Sequence, residues 1–241
     1  MRAIYASLVP SWRRAGCDLP AFEEFWQQEY AQLAEPAQDM VLFEEFRRDP
    51  ERARLHTPSG RIQIHSGAIA AFGYDDCPPQ PTWLEPAEWL GSVRARQWPL
   101  HLVSSQPADK LHSQLDAGEC SQAQKLQGRQ RARLNPADAK ARGIDDGALV
   151  RIFNARGSCL AGATLDDQVM SGVLVLSTGA WFDPQDAALE RHGNPNVLTL
   201  DIGTSRLTQG TSAMTALVEV APWRGPAPPV QAFELPELVA G

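Results

Sequence analysis

The hydrophobic positions of the first hundred residues form short patterns that proline and polar turns interrupt. In residues 20–33 (PAFEEFWQQEYAQL), aromatic and aliphatic side chains recur at helical spacing after a proline, which predicts an amphipathic helix. Residues 58–60 are a turn signal, and Ile62 and Ile64 then share one face of a predicted short strand. Residues 1–99 are therefore predicted to be an irregular α/β segment, the end of something larger followed by a linker.

From about residue 99 the hydrophobic pattern becomes regular and predicts short strands joined by tight turns. One brief helix is predicted to begin after Asn135, an N-cap residue followed by proline, and to end at Gly143. This pattern favours a mainly β, barrel-like domain at residues 100–222 over a doubly wound sheet. The proline-rich residues 223–241 are predicted to be a C-terminal tail that lies along the surface or frays. The predicted strands are residues 99–104, 148–154, 158–165, 172–177 and 217–220.

Composition and charge exclude several classes of function. The hydrophobic fraction of 43% is enough for one good core or two modest ones. The net charge of −7 disfavours binding to nucleic acid or to anionic membranes, because both need a basic surface. No apolar run reaches the roughly 20 residues that cross a bilayer, so no membrane insertion is expected. We expect a cytoplasmic protein, or a periplasmic one if the parent protein carries an export signal upstream.

The sequence offers no independent catalytic or metal-binding motif. Its four cysteines are far apart, without a CxxC pair, and are predicted to be reduced thiols rather than metal ligands. It has no GxSxG, P-loop or GxGxxG pattern. Three adjacent aspartate pairs, at residues 75–76, 145–146 and 166–167, are predicted to be solvated turns rather than acid–base pairs. We therefore assign no catalytic and no metal-binding residue to this chain.

Four segments of the barrel-like region carry a family resemblance: LVSSQPADKLHSQLDAG (102–118), NPADAKARGIDDGALVRIFNARG (135–157), GAWFDP (179–184) and HGNPNVLTLDIGTSRLTQGTSAMTALVEV (192–220). They resemble, in the same order, the C-terminal domain of the dimethyl sulfoxide reductase family of molybdenum enzymes. Two upstream segments, TPSGRIQIHSGAIAAFGYDDCP and TWLEPAEWLG, resemble the region that precedes this domain in the biotin sulfoxide and trimethylamine N-oxide reductase branches.

The resemblance implies a double-psi β-barrel, aspartate decarboxylase-like in fold, that binds one end of molybdopterin guanine dinucleotide (bis-MGD). Family members reduce S-oxides or N-oxides by oxygen-atom transfer at molybdenum, and biotin or methionine sulfoxide is the expected substrate class. The metal's protein ligand is expected on an upstream segment that this sequence lacks. Residues 1–99 would then be the end of the preceding catalytic domains plus a linker, and the chain alone is expected to be inactive. Its expected partners are the missing N-terminal domains or a complementing subunit.

Three polar residues after the first predicted strand are candidates for cofactor binding. His112, Ser113 and Gln114 offer an imidazole, a hydroxyl and an amide, the kinds of donor and acceptor that a flat pterin needs. From the residues alone, an ordinary loop whose polar side chains cap the strand end is the better explanation. The family resemblance favours cofactor binding.

Three further candidates lie near the end of the resembling region. Asn194 is predicted to contact the pyrophosphate or ribose, while Asn196 caps the turn. Arg206 suits a bidentate phosphate contact, with a surface salt bridge as the alternative. Gln209 resembles the family's pterin-contacting glutamine. Met214 stands where a histidine or another polar residue is expected, which removes one cofactor contact.

Two other interpretations remain open. The chain could be a stand-alone cofactor-binding or assembly subunit. Whatever the function, Trp181 could equally line the cofactor or substrate funnel or belong to a core. An unrelated barrel with decarboxylase or protease chemistry would share the fold, but the sequence has no catalytic constellation to support it.

Overall fold

The computed structural model describes residues 1–32, 40–211 and 215–234. The chain divides into two compact units, Met1–Gln63 and Ile64–Gly241. The barrel predicted at residues 100–222 lies in the second unit together with residues 64–99. Met214, where the sequence departs from the family pattern, lies outside the described residues.

Short helices make up the first unit. The ring of Tyr5 packs against Phe22 and Phe25, with centroid distances of 5.5 and 4.9 Å. The helix predicted over residues 20–33 ends earlier, because Glu29 takes a left-handed φ of 65°. The helices are α1 (Arg2–Arg14), α2 (Phe22–Gln28) and α3 (Glu44–Arg48).

The short strand predicted at Ile62 and Ile64 is wrong. The backbone of this stretch forms bends and irregular structure, and both side chains are largely exposed. A strand is stable only when its backbone groups pair with a neighbour. Within the described part of the chain, every strand pairing lies between residues 100 and 222.

The second unit is mainly β, with only short helices among its described residues. It begins with α4 (Gly67–Ala70) and a 3₁₀ turn (Val93–Arg96). Its later helices are α5 (Glu119–Gln124) and α6 (Pro136–Arg142). The strands are β1 (Leu100–Val103), β2 (Arg131–Leu134), β3 (Leu149–Phe153), β4 (Ser158–Leu165), β5 (Val173–Leu176), β6 (Leu189–Glu190) and β7 (Ala216–Pro222).

Six of these strands close into a barrel. The order around the ring is β2–β5–β1–β7–β3–β4, and β4 then pairs with β2 to close it. The β1–β5 and β2–β4 pairs are parallel and the other pairs of the ring are antiparallel. Strand β6 pairs in parallel with the first two residues of β4, Ser158 and Cys159, which precede the part of β4 that pairs with β2. The prediction of a mainly β chain with a closed barrel is confirmed.

Alternating strand residues fill the barrel, as the period of two requires. Strand β1 turns Leu100 and Leu102 inward and β3 turns Val150 and Ile152 inward, all fully buried. The predicted helix α6 forms with both of its predicted caps. The Asn135 side chain accepts the Ala137 N–H at 2.9 Å, and Gly143 takes a left-handed φ of 64°. Its buried residue Ala139 joins the same core.

Residues 64–99 are fastened to the barrel by a buried carboxylate. The side chain of Glu88 is only 2% exposed and accepts two hydrogen bonds from the Arg156 guanidinium, at 2.6 and 2.9 Å. It also accepts the Leu217 N–H at 2.8 Å and one hydrogen bond from Arg94. Burial opposes ionisation, but the Arg156 hydrogen bonds and the Leu217 N–H outweigh it and lower the pKa of Glu88.

No helix of the described residues combines the length and apolar character needed to cross a membrane.

Candidate functional site

The loops that follow β1 and β5 enclose a cleft of about 500 Å³. Because these two strands are parallel neighbours, the loops after them leave the barrel at the same end. One wall is His112 and Ser113, and the other is the segment from Thr178 to Phe182. Asn194 and Asn196 complete the lining.

A glycine allows the two walls to approach each other. A Cβ atom at Gly179 would lie 1.9 Å from the carbonyl oxygen of His112, far inside van der Waals contact. The φ of Gly179 is +96°, which side chains rarely permit. His112 itself takes a left-handed φ of 53°. The backbone therefore fixes the width of the cleft at this position.

Trp181 joins the two walls through its backbone and its ring. Its indole N–H donates to the Ser113 carbonyl oxygen at 2.8 Å. Its backbone N–H donates to Asp116 Oδ2 at 3.0 Å, and its carbonyl oxygen lies 2.9 Å from Nδ1 of His192. Two separate parts of the chain, residues 113–116 and His192, therefore hold this one residue in place.

A buried ion cluster lies behind Trp181. Asp116 Oδ1 accepts from the ammonium groups of Lys110, at 2.7 Å, and Lys125, at 2.8 Å, and all three side chains are almost fully buried. Burial favours the neutral carboxyl, but the two lysines and the Trp181 N–H outweigh it and lower the pKa of Asp116. Burial also lowers the pKa of Lys125. The Lys110 ammonium has a further acceptor in Gln130, at 2.9 Å.

A second buried carboxylate shapes the chain around Asn194. Glu190 Oε2 accepts the N–H groups of Gly193 and Asn194 at 2.7 and 2.8 Å, and Oε1 accepts those of Asp183 and His192. Burial raises the pKa of Glu190 despite these four donors. Three of these bonds wrap residues 192–194 around the Glu190 carboxylate, and this turn places Asn194 at the cleft.

The Asn194 amide is occupied by the protein itself. Its Nδ2 donates to the Ala180 carbonyl oxygen at 2.9 Å, and its Oδ1 accepts the Asn196 N–H at 2.9 Å. Asn194, and not Asn196, is therefore the cap of this turn, which begins the 3₁₀ helix Pro195–Leu198. The prediction that Asn196 caps the turn is wrong, because the capping side chain precedes the turn that it closes.

The other predicted residues do not line the cleft. Gln114 lies in the adjoining turn, where its N–H donates to the Leu111 carbonyl oxygen. Arg206 forms ion pairs with Asp75 and Asp76, and its guanidinium also lies 4.7 Å from the ring centroid of Tyr74. The surface salt bridge left open by the sequence is thus present.

Gln209 belongs to the same exposed loop as Arg206. Its Nε2 donates to the Ser205 carbonyl oxygen at 2.8 Å. The aspartate pair at residues 75–76 lies in a solvent-accessible turn, as predicted, and also pairs with Arg206, whose backbone N–H helps to lower the pKa of Asp76.

Sequence reasoning missed the ion cluster and the Glu190 turn. Charged residues are usually solvated, so nothing in the spacing of Lys110, Asp116 and Lys125 indicated that all three are buried. The one available signal was position, because Lys110 and Asp116 flank the predicted site residues 112–114.

The chain is similar to known molybdenum-cofactor proteins. Residues 100–217 match the family model described as "Molydopterin dinucleotide binding domain". The chain is 50% identical over 212 residues to a biotin sulfoxide reductase of Cereibacter sphaeroides, a match that covers 87% of this chain and 28% of the relative. It is 43% identical over 241 residues to a dimethyl sulfoxide/trimethylamine N-oxide reductase of the same organism, covering 98% of this chain and 29% of the relative.

The same fold also occurs among solved structures. Acetylene hydratase from Pelobacter acetylenicus superposes with a TM-score of 0.60 at 19% identity, over 84% of this chain and 28% of that chain. The present chain thus spans less than a third of the length of the relatives it matches.

Proposed function

Because this chain belongs to the dimethyl sulfoxide reductase family of molybdenum enzymes, we propose that its cleft binds part of molybdopterin guanine dinucleotide within a reductase of S-oxides or N-oxides. The observation that carries the proposal is that two polar side chains of the cleft have no hydrogen-bond partner in the part of the protein that the structure describes. Within the described residues, the side chains of His112 and Ser113 form no hydrogen bond, although both line the cleft. They are free to serve a ligand.

The donors and acceptors present fit a neutral, flat and polar ligand. The imidazole of His112 and the hydroxyl of Ser113 each combine donor and acceptor capacity. Asn194 and Trp181 hold the opposite wall, so the ligand meets groups that are already positioned. We assign Gln114 an outer contact to the same ligand, because it adjoins this wall.

Two candidate contacts lie in the 203–211 loop, outside the cleft. We propose that Arg206 binds a phosphate of the dinucleotide and that Gln209 contacts the pterin, as the family resemblance implies. The ion pairs with Asp75 and Asp76 hold the Arg206 guanidinium in a defined position near the surface, where a phosphate could reach it. Phosphate would have to compete with both aspartates, so this contact depends on ionic strength more than those of the cleft.

The residues of this chain bind and orient; none of them is assigned redox chemistry. When bound, the cofactor supplies molybdenum, at which the oxygen atom of a sulfoxide or N-oxide is transferred. Biotin or methionine sulfoxide is the substrate class that we propose, and the cytoplasm is the proposed location. We expect the isolated chain to have no oxygen-transfer activity, since no residue of it is assigned as the metal's ligand.

A direct binding experiment tests the proposal. The dinucleotide, released from a molybdenum enzyme without oxygen, is titrated into the 241-residue chain. We expect S113A and H112A each to weaken binding by about tenfold, the effect of one lost hydrogen bond. The matched controls S171A and H65A remove the same groups outside the cleft. No binding by the parent chain, or equal losses in the controls, would overturn the proposal.

The rim of the cleft supports a proposal about partners. Leu111, Leu115 and Phe182 are large apolar side chains that are more than half exposed. We propose that another part of the enzyme packs there, either upstream residues of the same polypeptide or a complementing subunit. The intact mass of the native polypeptide distinguishes these alternatives. A mass several times 26.4 kDa indicates one long polypeptide, and a mass near 26.4 kDa indicates a separate subunit.

A further inference from the structure

We propose that residues 226–234 act as a strap that fixes the cofactor cleft from behind, with Phe233 as a positioning residue for Trp181. The effect on cofactor retention rests on the proposed function, whereas the effect on the wall of the cleft does not. The sequence predicted only a proline-rich tail for these residues.

The strap is attached to the barrel at successive points. The Arg129 guanidinium donates to the Pro228 carbonyl oxygen. The Gln231 N–H donates to Asp183 Oδ2 at 2.8 Å, and the Gln231 side chain accepts from Arg191 at 2.8 Å. These contacts fix the path of the segment and place Phe233 behind the cleft.

Phe233 ends this path against the groups that hold the cleft wall. Its ring centroid lies 5.1 Å from that of Trp181 and 5.1 Å from that of His192. The Lys125 ammonium lies 5.8 Å from the same ring, within the range of a cation–π interaction. One aromatic side chain therefore contacts three residues, each of which belongs to the wall or supports it.

The positions of these contacts explain how Phe233 could act on the cleft without touching a ligand. Ser113, Asp116 and His192 hold the polar groups of Trp181, but hydrogen bonds leave the faces of its ring unsupported. Phe233 packs against the ring itself, which remains 41% exposed. It also shields the Lys125–Asp116 ion pair, and exclusion of water strengthens such a pair.

The contact with His192 makes the strap releasable. Nε2 of His192 is buried and has no hydrogen-bond partner among the described residues. A buried polar atom without a partner destabilises the structure. If the strap moved away, water could reach Nε2 and supply the missing hydrogen bond. The closed position is thus opposed by one unsatisfied group, and the aromatic contacts of Phe233 must outweigh it.

Hydrogen exchange on the 241-residue chain tests the strap without cofactor. In F233A we expect the amides of residues 179–183 to exchange about tenfold faster, the effect of one or two lost aromatic contacts. The exchange of β1 and β5 should stay unchanged, and F233L should restore most of the protection. The matched control is F153A, which removes another aromatic pair, that of Phe153 with Trp98 at 5.8 Å. Unchanged exchange at residues 179–183 in F233A, or equal acceleration in F153A, would overturn the strap.

Dissociation of the dinucleotide separates this proposal from the proposed function. We expect F233A to release the dinucleotide about tenfold faster than the parent chain and F233L to release it at nearly the parent rate. Faster exchange in F233A, with no binding by the parent chain, would support the strap and overturn the cofactor proposal. Tight binding with an unchanged release rate in F233A would overturn the strap and leave the cofactor proposal standing.

Discussion

Replacing Asp116 with asparagine (D116N) removes the negative charge that forms ion pairs with two buried ammonium groups. In the native chain, Oδ1 binds Lys110 and Lys125, and Oδ2 accepts the Trp181 N–H. An asparagine has nearly the same shape but carries an NH₂ group on one side. Whichever way the amide turns, that group faces a donor, either the lysines or the Trp181 N–H.

The expected loss follows from the burial of the cluster. Removing one partner of a buried ion pair costs about 3–5 kcal/mol, because the remaining charge has no counter-ion. In urea unfolding followed by tryptophan fluorescence, a loss of this size lowers the midpoint by roughly 1–2 M. The loss should shrink at alkaline pH, since burial already lowers the pKa of Lys125 and deprotonation relieves the unpaired charge.

The matched control is D166N, which removes one negative charge from a partly exposed ion pair. Asp166 binds Arg133, whose side chain is 47% exposed, and solvent screens such a pair. We expect a clearly smaller loss in D166N than in D116N. Equal midpoints for the two variants would refute the argument that the Asp116 cluster is buried and mutually dependent.

Three further changes test other parts of the structure. G179A should lower the free energy of unfolding by about 3 kcal/mol, through overpacking and backbone strain. G143A should lower it by about 1 kcal/mol, because open space around Gly143 leaves only the backbone strain. Equal urea midpoints for the two variants would contradict this. Burial, reinforced by the charge of Lys125, lowers the pKa of His192. Below the ordinary pKa of 6.5 the unfolded chain therefore binds more protons than the folded chain, and stability falls as the pH falls. H192Q should lose less stability than the parent chain between pH 6.5 and 5, and parallel curves of stability against pH would contradict this. E88Q should destabilise the second unit by about 2 kcal/mol, because the Arg156 guanidinium loses its bidentate partner, and thermal unfolding should register this as a lower Tm.

The barrel could be predicted because its signals are local. Short runs rich in apolar residues located β1, β3, β4, β5 and β7, and Asn135 and Gly143 marked the ends of α6. Strand β2 (Arg131–Leu134) was missed, since it is short and only two of its four side chains are apolar, so no apolar run marks it.

The site could be predicted only in part. The sequence located His112, Ser113 and Asn194, which the fold brings to one cleft. It could not show that Asp75 and Asp76 pair with Arg206, because about 130 residues separate the partners. Burial of the Lys110–Asp116–Lys125 cluster was equally hidden, since it depends on contacts that only the closed fold creates.

The place of β7 in the ring has a consequence for synthesis on the ribosome. This strand lies between β1 and β3, although it is the last in sequence among the strands of the described residues. Until residue 222 has emerged, β1 and β3 each present an unpaired edge, and such edges recruit other chains. The barrel therefore cannot close until residue 222 has emerged, and a nascent chain that pauses before residue 216 would depend on chaperones.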